Sequence, residues 1–166
     1  MKAIIKTWIL TVSMLFVTLT TLAEGENSVG SIAINGLEVG GKYTREQIFA
    51  ALGGQPDQIV QGTEYPTFFE YRYGNDRFYQ MDDEFYGGDF STSRFIVTEG
   101  IKIGDRIEDV NKLNGACYSG DFDELRYAGV VKWRPSKDPK WEWLIVEFYY
   151  NAQGNVARIN IGVFFI

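Results

Sequence analysis

KYTREQIFAALGGQP, Lys42–Pro56, carries both ends of a helix in its own letters. The Thr44 hydroxyl can accept from the Gln47 amide while the Gln47 side chain reaches back, a capping box that opens a helix. Ile48, Ala51 and Leu52 then fall on one face at helical spacing. Gly53-Gly54 supplies a left-handed stop and Pro56 blocks continuation. Such a helix has about two to three turns and is not stable alone, so it must lie on a sheet. A second stretch, GDRIEDVNKLNG at Gly104–Gly115, reads the same way: Asp105 and Glu108 form the capping pair, Val110 and Leu113 the buried side, and Asn114-Gly115 the stop.

Aromatic, alternating sequence follows each helix. Thr67–Tyr73 sets Phe69, Tyr71 and Tyr73 against Phe68, Glu70 and Arg72; a turn at Gly74-Asn75-Asp76 leads to a returning strand at Arg77–Met81. The glycine- and acid-rich run Asp82–Asp89 reads as a loop, with a third strand at Ser93–Val97. In the second half, strands are predicted at Leu125–Trp133, Trp141–Tyr150 and Val156–Phe165, the last two joined by Asn151-Ala152-Gln153-Gly154. Ahead of the first helix, Ile32 and Ile34 alternate in a short extended segment before Gly36 and Gly40-Gly41. The predicted fold class is α+β: two tandem helix-plus-antiparallel-sheet repeats, over residues 24–98 and 99–166, sharing one continuous sheet with the short helices on one face.

Residues 1–23 differ in kind. Lys2 and Lys6 precede an apolar run, Trp8–Leu19, and the small-residue pattern Thr21-Leu22-Ala23, which together predict a secretory signal peptide cleaved after Ala23. The run is shorter than the roughly 20 apolar residues of a membrane span. The expected location is periplasmic or secreted, with no membrane span after cleavage. The 166 residues carry a net charge of −6. Loss of the leader removes two lysines and no acid, leaving 14 basic against 22 acidic residues, or −8. A surface of that sign repels phosphate backbones and argues against nucleic acid. Cys117 is the single cysteine, so no internal disulfide is available and stability must come from the core.

The recurring pattern of glycine, capped helix with acids in its first turn, apolar pair and glycine stop, carried here by Gly41–Pro56 and Gly100–Gly115, resembles the motif of two secreted bacterial families. One is the outer-membrane assembly proteins of the SmpA/OmlA (BamE) type; the other is the tandem beta-lactamase inhibitor proteins (BLIP-like). The resemblance implies helices packed on one face of an antiparallel sheet whose other face is open to a partner. Two copies are more similar to the tandem inhibitors. The chain departs from both families: it cannot form the inhibitors' disulfides, and Ala23 followed by Glu24 offers no lipid-acceptor cysteine.

The chain contains no histidine, which removes a serine triad, a Cys-His pair and a histidine-bearing zinc site. Glycosidase chemistry needs only two carboxylates, and Asp82, Asp83, Glu84, Asp89, Asp121, Asp123 and Glu124 offer several. Acids in polar loops are ordinarily a solvated surface, and Asp121-Phe122-Asp123-Glu124 lacks the spacing of a regular calcium loop. The reading is therefore of a non-catalytic protein without cofactor or metal. Along Trp141–Tyr150 both sides are apolar. If helices cover one side only, Trp141, Trp143, Ile145 and Tyr149, with Phe69 and Tyr71, form a ring-rich binding face, and Asp82, Asp83 and Glu84 steer a basic partner. The expected partner is another secreted or envelope protein, with the chain acting as an enzyme inhibitor or an envelope-assembly accessory. A carbohydrate-binding module stacking sugars on the same aromatics is the alternative.

Overall fold

The structure, a computed structural model, describes residues 32–113, 115–119, 126–135 and 144–163. A small hairpin, β1 (Ala33–Ile34) and β2 (Leu37–Glu38), precedes helix α1 (Arg45–Leu52). Four strands follow: β3 (Gln58–Gln61), β4 (Phe68–Tyr73), β5 (Asp76–Met81) and β6 (Glu84–Phe90). After a 3-10 turn at Thr98–Gly100 comes α2 (Ile107–Val110), then β7 (Gly115–Ser119), β8 (Gly129–Pro135), β9 (Leu144–Tyr150) and β10 (Val156–Val163). The last eight strands form one antiparallel sheet in the order β3-β4-β5-β6-β10-β9-β8-β7. Each four-strand meander thus ends at the middle of the sheet, where β6 pairs with β10 through Phe90↔Ile159, Asp89↔Asn160 and Gly88↔Ile161.

The predicted α+β class is overturned. Of the described residues 50% lie in strand and only 13% in helix, and α1 is the one helix among them longer than about a turn, so the protein is mostly β. The first helix forms as its letters dictate. Thr44 Oγ1 accepts from the Gln47 amide at 3.3 Å, Gln47 Oε1 accepts from the Thr44 amide at 2.8 Å, and Gly53 closes the helix at φ 94°. The second does not, because its cap is diverted. Asp105 Oδ2 accepts from the Lys102 amide and the Asp105 carbonyl accepts from the Val156 amide, which ties this segment to the start of β10. Arg106 bridges Asn155 in the same way, so helical geometry begins only at Ile107.

The run Asp82–Asp89 is a strand and its turn rather than a loop. Asp82 and Asp83 both take left-handed backbone, φ 50° and 66°, which is the two-residue hairpin turn whose twist matches paired strands. The glycines within β6 serve close approach. A methyl added at Gly88 would stand 2.5 Å from the Arg77 carbonyl oxygen and from Phe78 Cδ1. The strand expected at Ser93–Val97 reduces to two isolated bridges, Ile96 to Lys102 and Val97 to Ile34.

The core sits on one face of the sheet. Tyr71, Phe78, Phe85, Phe90, Val146, Phe148, Ile159 and Ile161 meet Ile48, Phe49 and Leu52 of α1, Val110 of α2, and Ile32, Ile34, Leu37 and Val39 of the β1–β2 hairpin. Phe78 is its aromatic centre, with ring centroids 4.7 Å from Phe95, 5.7 Å from Phe90 and 5.9 Å from Tyr73. Asp76 and Gln80, buried beside this core, are partnered, whereas the Trp133 indole N–H finds no hydrogen-bond acceptor among the described residues. Asp76 accepts from the Ser91 amide at 2.8 Å and from Thr92 Oγ1 at 2.6 Å; Gln80 accepts from the Tyr71 hydroxyl and donates to the Tyr43 carbonyl at 2.7 Å. Burial lifts the Tyr73 phenol to about 12, and its hydroxyl donates to the Gly54 carbonyl. This layer consumes both helices and the hairpin, so no described helix covers the opposite face.

Candidate functional site

Side chains alternate across a sheet, so the residues between the core positions all point to the other face. The pairing registers align them in a row: Arg72 opposite Arg77, Arg77 opposite Asp89, Asp89 opposite Asn160, Asn160 opposite Glu147, and Glu147 opposite Lys132. Flanking this row are Phe68, Glu70, Tyr79 and Met81 on β4 and β5, and Ile145, Tyr149 and Arg158 on β9 and β10. The face is therefore built chiefly from arginine, tyrosine and carboxylate.

At its centre these groups fix one another. Arg158 grips Asp89 through two parallel bonds, Nε to Oδ1 at 2.7 Å and Nη2 to Oδ2 at 2.8 Å, and its guanidinium lies 5.0 Å from the Tyr149 ring centroid. The Tyr149 hydroxyl donates to Glu147 Oε2 at 2.9 Å, Asn160 Nδ2 donates to the same oxygen at 3.0 Å, and Lys132 Nζ stands 2.9 Å from Glu147 Oε1. The Tyr127 ring lies tilted beside Tyr149, ring centroids 5.3 Å apart. Glu147 is only 6% exposed. Burial pushes its carboxyl up, but the bonds from Lys132, Asn160 and Tyr149 together outweigh that and hold it below the usual carboxylate range. Toward the β3 edge, Arg72 pairs with Glu70 and donates to Gln58 at 3.1 Å, while Tyr79 stacks on Phe68 at 5.9 Å. Burial, and then the charges of Glu70 and Asp89, raise the Tyr79 phenol; burial and Glu84 raise Tyr86, whose hydroxyl donates to Glu84. Both phenols stay neutral hydrogen-bond donors at physiological pH.

The predicted site residues divide between the two faces. Ile145 and Tyr149 lie half-buried on the outward face. Trp141 and Trp143 lie outside the described residues, as do Asp121, Asp123 and Glu124. Phe69 and Tyr71 are corrected: they point to the core face, where Tyr71 is fully buried edge-on to Phe49, 5.0 Å away, and Phe69 lies under the Arg45 guanidinium at 3.9 Å. Asp82 and Asp83 are exposed at the β5–β6 turn, where the left-handed backbone suits aspartate, and Glu84 opens β6. The central network of Asp89, Lys132, Glu147, Arg158 and Asn160 was not singled out as a site. Its legible signs were Asp89, one of the candidate carboxylates, and Glu147, a charge placed mid-strand between apolar neighbours in LIVEFYY.

Glu46, Glu108 and Glu147 are all held below the usual carboxylate range, so none of these three is a proton-bearing acid near neutrality. Among the described residues no group of three or more His, Cys, Asp or Glu is placed to hold a metal ion, and no helix is long and apolar enough to cross a membrane. No family model, curated protein or solved structure matches the chain.

Proposed function

We propose that the protein is a non-catalytic recognition module, acting in the periplasm or outside the cell, that binds another protein through the outward face of its sheet. The observation that carries this reading is a face that no described helix covers, built from tyrosine, arginine and carboxylate and held together by its own hydrogen bonds. Tyrosine and arginine dominate the energetic centres of protein interfaces, since they bring large contact area and directional donors at modest entropic cost. Preorganisation adds to that, because Tyr149 and Arg158 are fixed through Glu147 and Asp89 before any partner arrives. Inhibition of an enzyme and support of envelope assembly are the two forms such a module would take.

Affinity capture from envelope and culture-supernatant fractions, with wild-type protein, Tyr149→Ala and Tyr65→Ala in parallel, tests it. Tyr65 is 66% exposed away from this network and serves as the control. A protein captured by wild type and Tyr65→Ala but lost with Tyr149→Ala is the expected result. Capture indifferent to Tyr149, or saturable binding to a glycan array that Tyr149→Ala removes, would replace the reading.

A further inference from the structure

We infer that the outward face receives an acidic segment of its partner, with a carboxylate seated on the Arg72–Arg77 pair; this deepens, and rests on, the reading of that face as a protein interface. Arg72 and Arg77 are directly opposed on β4 and β5. Side chains so placed have Cβ atoms roughly 5 Å apart, and like charges there destabilise the sheet. Glu70 relieves Arg72, but no neighbouring acid does the same for Arg77. Asp89, which faces Arg77 from β6, is gripped at both oxygens by Arg158; Glu70 is taken by Arg72 and Glu147 by Lys132. Among the described residues Arg77 has no ion pair, and it is exposed.

Arg77 is thus the one cation of the row left without an ion pair, in a chain whose net charge is −6. An arginine placed where it repels its neighbour, while acids predominate elsewhere, marks a site kept for an incoming anion. The planar guanidinium matches a carboxylate in two-point geometry, and Arg72 keeps one nitrogen, Nη2, beyond those that serve Glu70 and Gln58. A polyphosphate is the poorer fit, since it concentrates several charges beside Asp89, Glu147 and the flanking Glu70 where one cation is left over, whereas an extended peptide presents its carboxylates one at a time. The acids of the Asp82–Asp83 turn have a backbone reason for being where they are, so they do not call for a basic partner.

Isotope-labelled protein titrated with hexaglutamate, hexaglutamine and hexalysine peptides at low and raised ionic strength tests the inference by amide chemical shifts. Hexaglutamate is expected to move the signals of β4 and β5 around Arg72 and Arg77. Its affinity should fall as salt is added, and Arg77→Gln should weaken it about tenfold, the loss of one charge-assisted pair. Lys102→Gln, an exposed cation outside the sheet, should leave it unchanged. Hexaglutamate binding no better than hexaglutamine, binding that ignores Arg77→Gln, or hexalysine moving these signals instead would overturn it. If hexaglutamate fails while capture still depends on Tyr149, the acidic partner alone falls. If hexaglutamate binds the pair but capture ignores Tyr149, the protein-interface reading falls and an anion site remains.

Discussion

Replacing Glu147 with glutamine removes one charge from the centre of the outward face and keeps its shape. The carboxylate accepts from Tyr149 at 2.9 Å and Asn160 at 3.0 Å and pairs with Lys132 at 2.9 Å. Glutamine keeps one acceptor oxygen but turns these bonds neutral, and it presents an amide to Lys132. A fully buried pair broken on one side costs about 3–5 kcal/mol and a surface pair about 0–1 kcal/mol. The Glu147 side chain is 8% exposed and that of Lys132 28%, so water reaches the ammonium and the expected cost lies between, about 1–3 kcal/mol near neutral pH. The pH dependence gives the sharper test. The folded-state pKa of Glu147 is depressed below its ordinary 4.5, so the stability contributed by the carboxylate is complete above that value. It drains away as pH falls through the folded value. Urea unfolding of wild type and Glu147→Gln across this range should show a gap that is full near neutrality and closes in acid. A variant as stable as wild type, or a gap indifferent to pH, would refute the account of the network.

Three further outcomes follow from the same geometry. Phe78→Ala removes the fully buried ring at the centre of the aromatic cluster and should cost about 3–5 kcal/mol in denaturant unfolding. Thr44→Ala breaks the capping box of α1 and should cost about 0.5–2 kcal/mol, read as a lowered midpoint with unchanged slope. Arg77→Gln relieves the opposed arginine pair and should raise stability by up to about 1 kcal/mol, measurable as a higher Tm, even as it weakens binding of an acidic peptide.

Much of the sheet was legible because period-two alternation survives wherever one face is buried. Phe68–Tyr73, Asp76–Met81, Leu144–Tyr150 and Val156–Val163 fall within or close to the segments whose letters alternate. β6 was hidden by its two glycines and its acidic turn, features of loops that here answer to crowding and left-handed backbone. The Tyr71 face was misassigned because alternation separates two sets of residues without naming the inner one. Phe69, Tyr71 and Tyr73 oppose Phe68, Glu70 and Arg72, and α1 settled the matter by packing Phe49 on Tyr71.

What the sequence determined by itself is local: the first helix with its cap and glycine stop, the strands with clean alternation, and an acidic chain without histidine. Those follow from interactions between residues a few positions apart, which the letters record directly. The tertiary structure alone decided that the second helix shrinks to a turn and that Arg158 reaches Asp89 across 69 positions. It also set two arginines face to face. Strand register fixes such partners, and register depends on how every strand buries its inner face at once, a condition that no single segment of the chain contains.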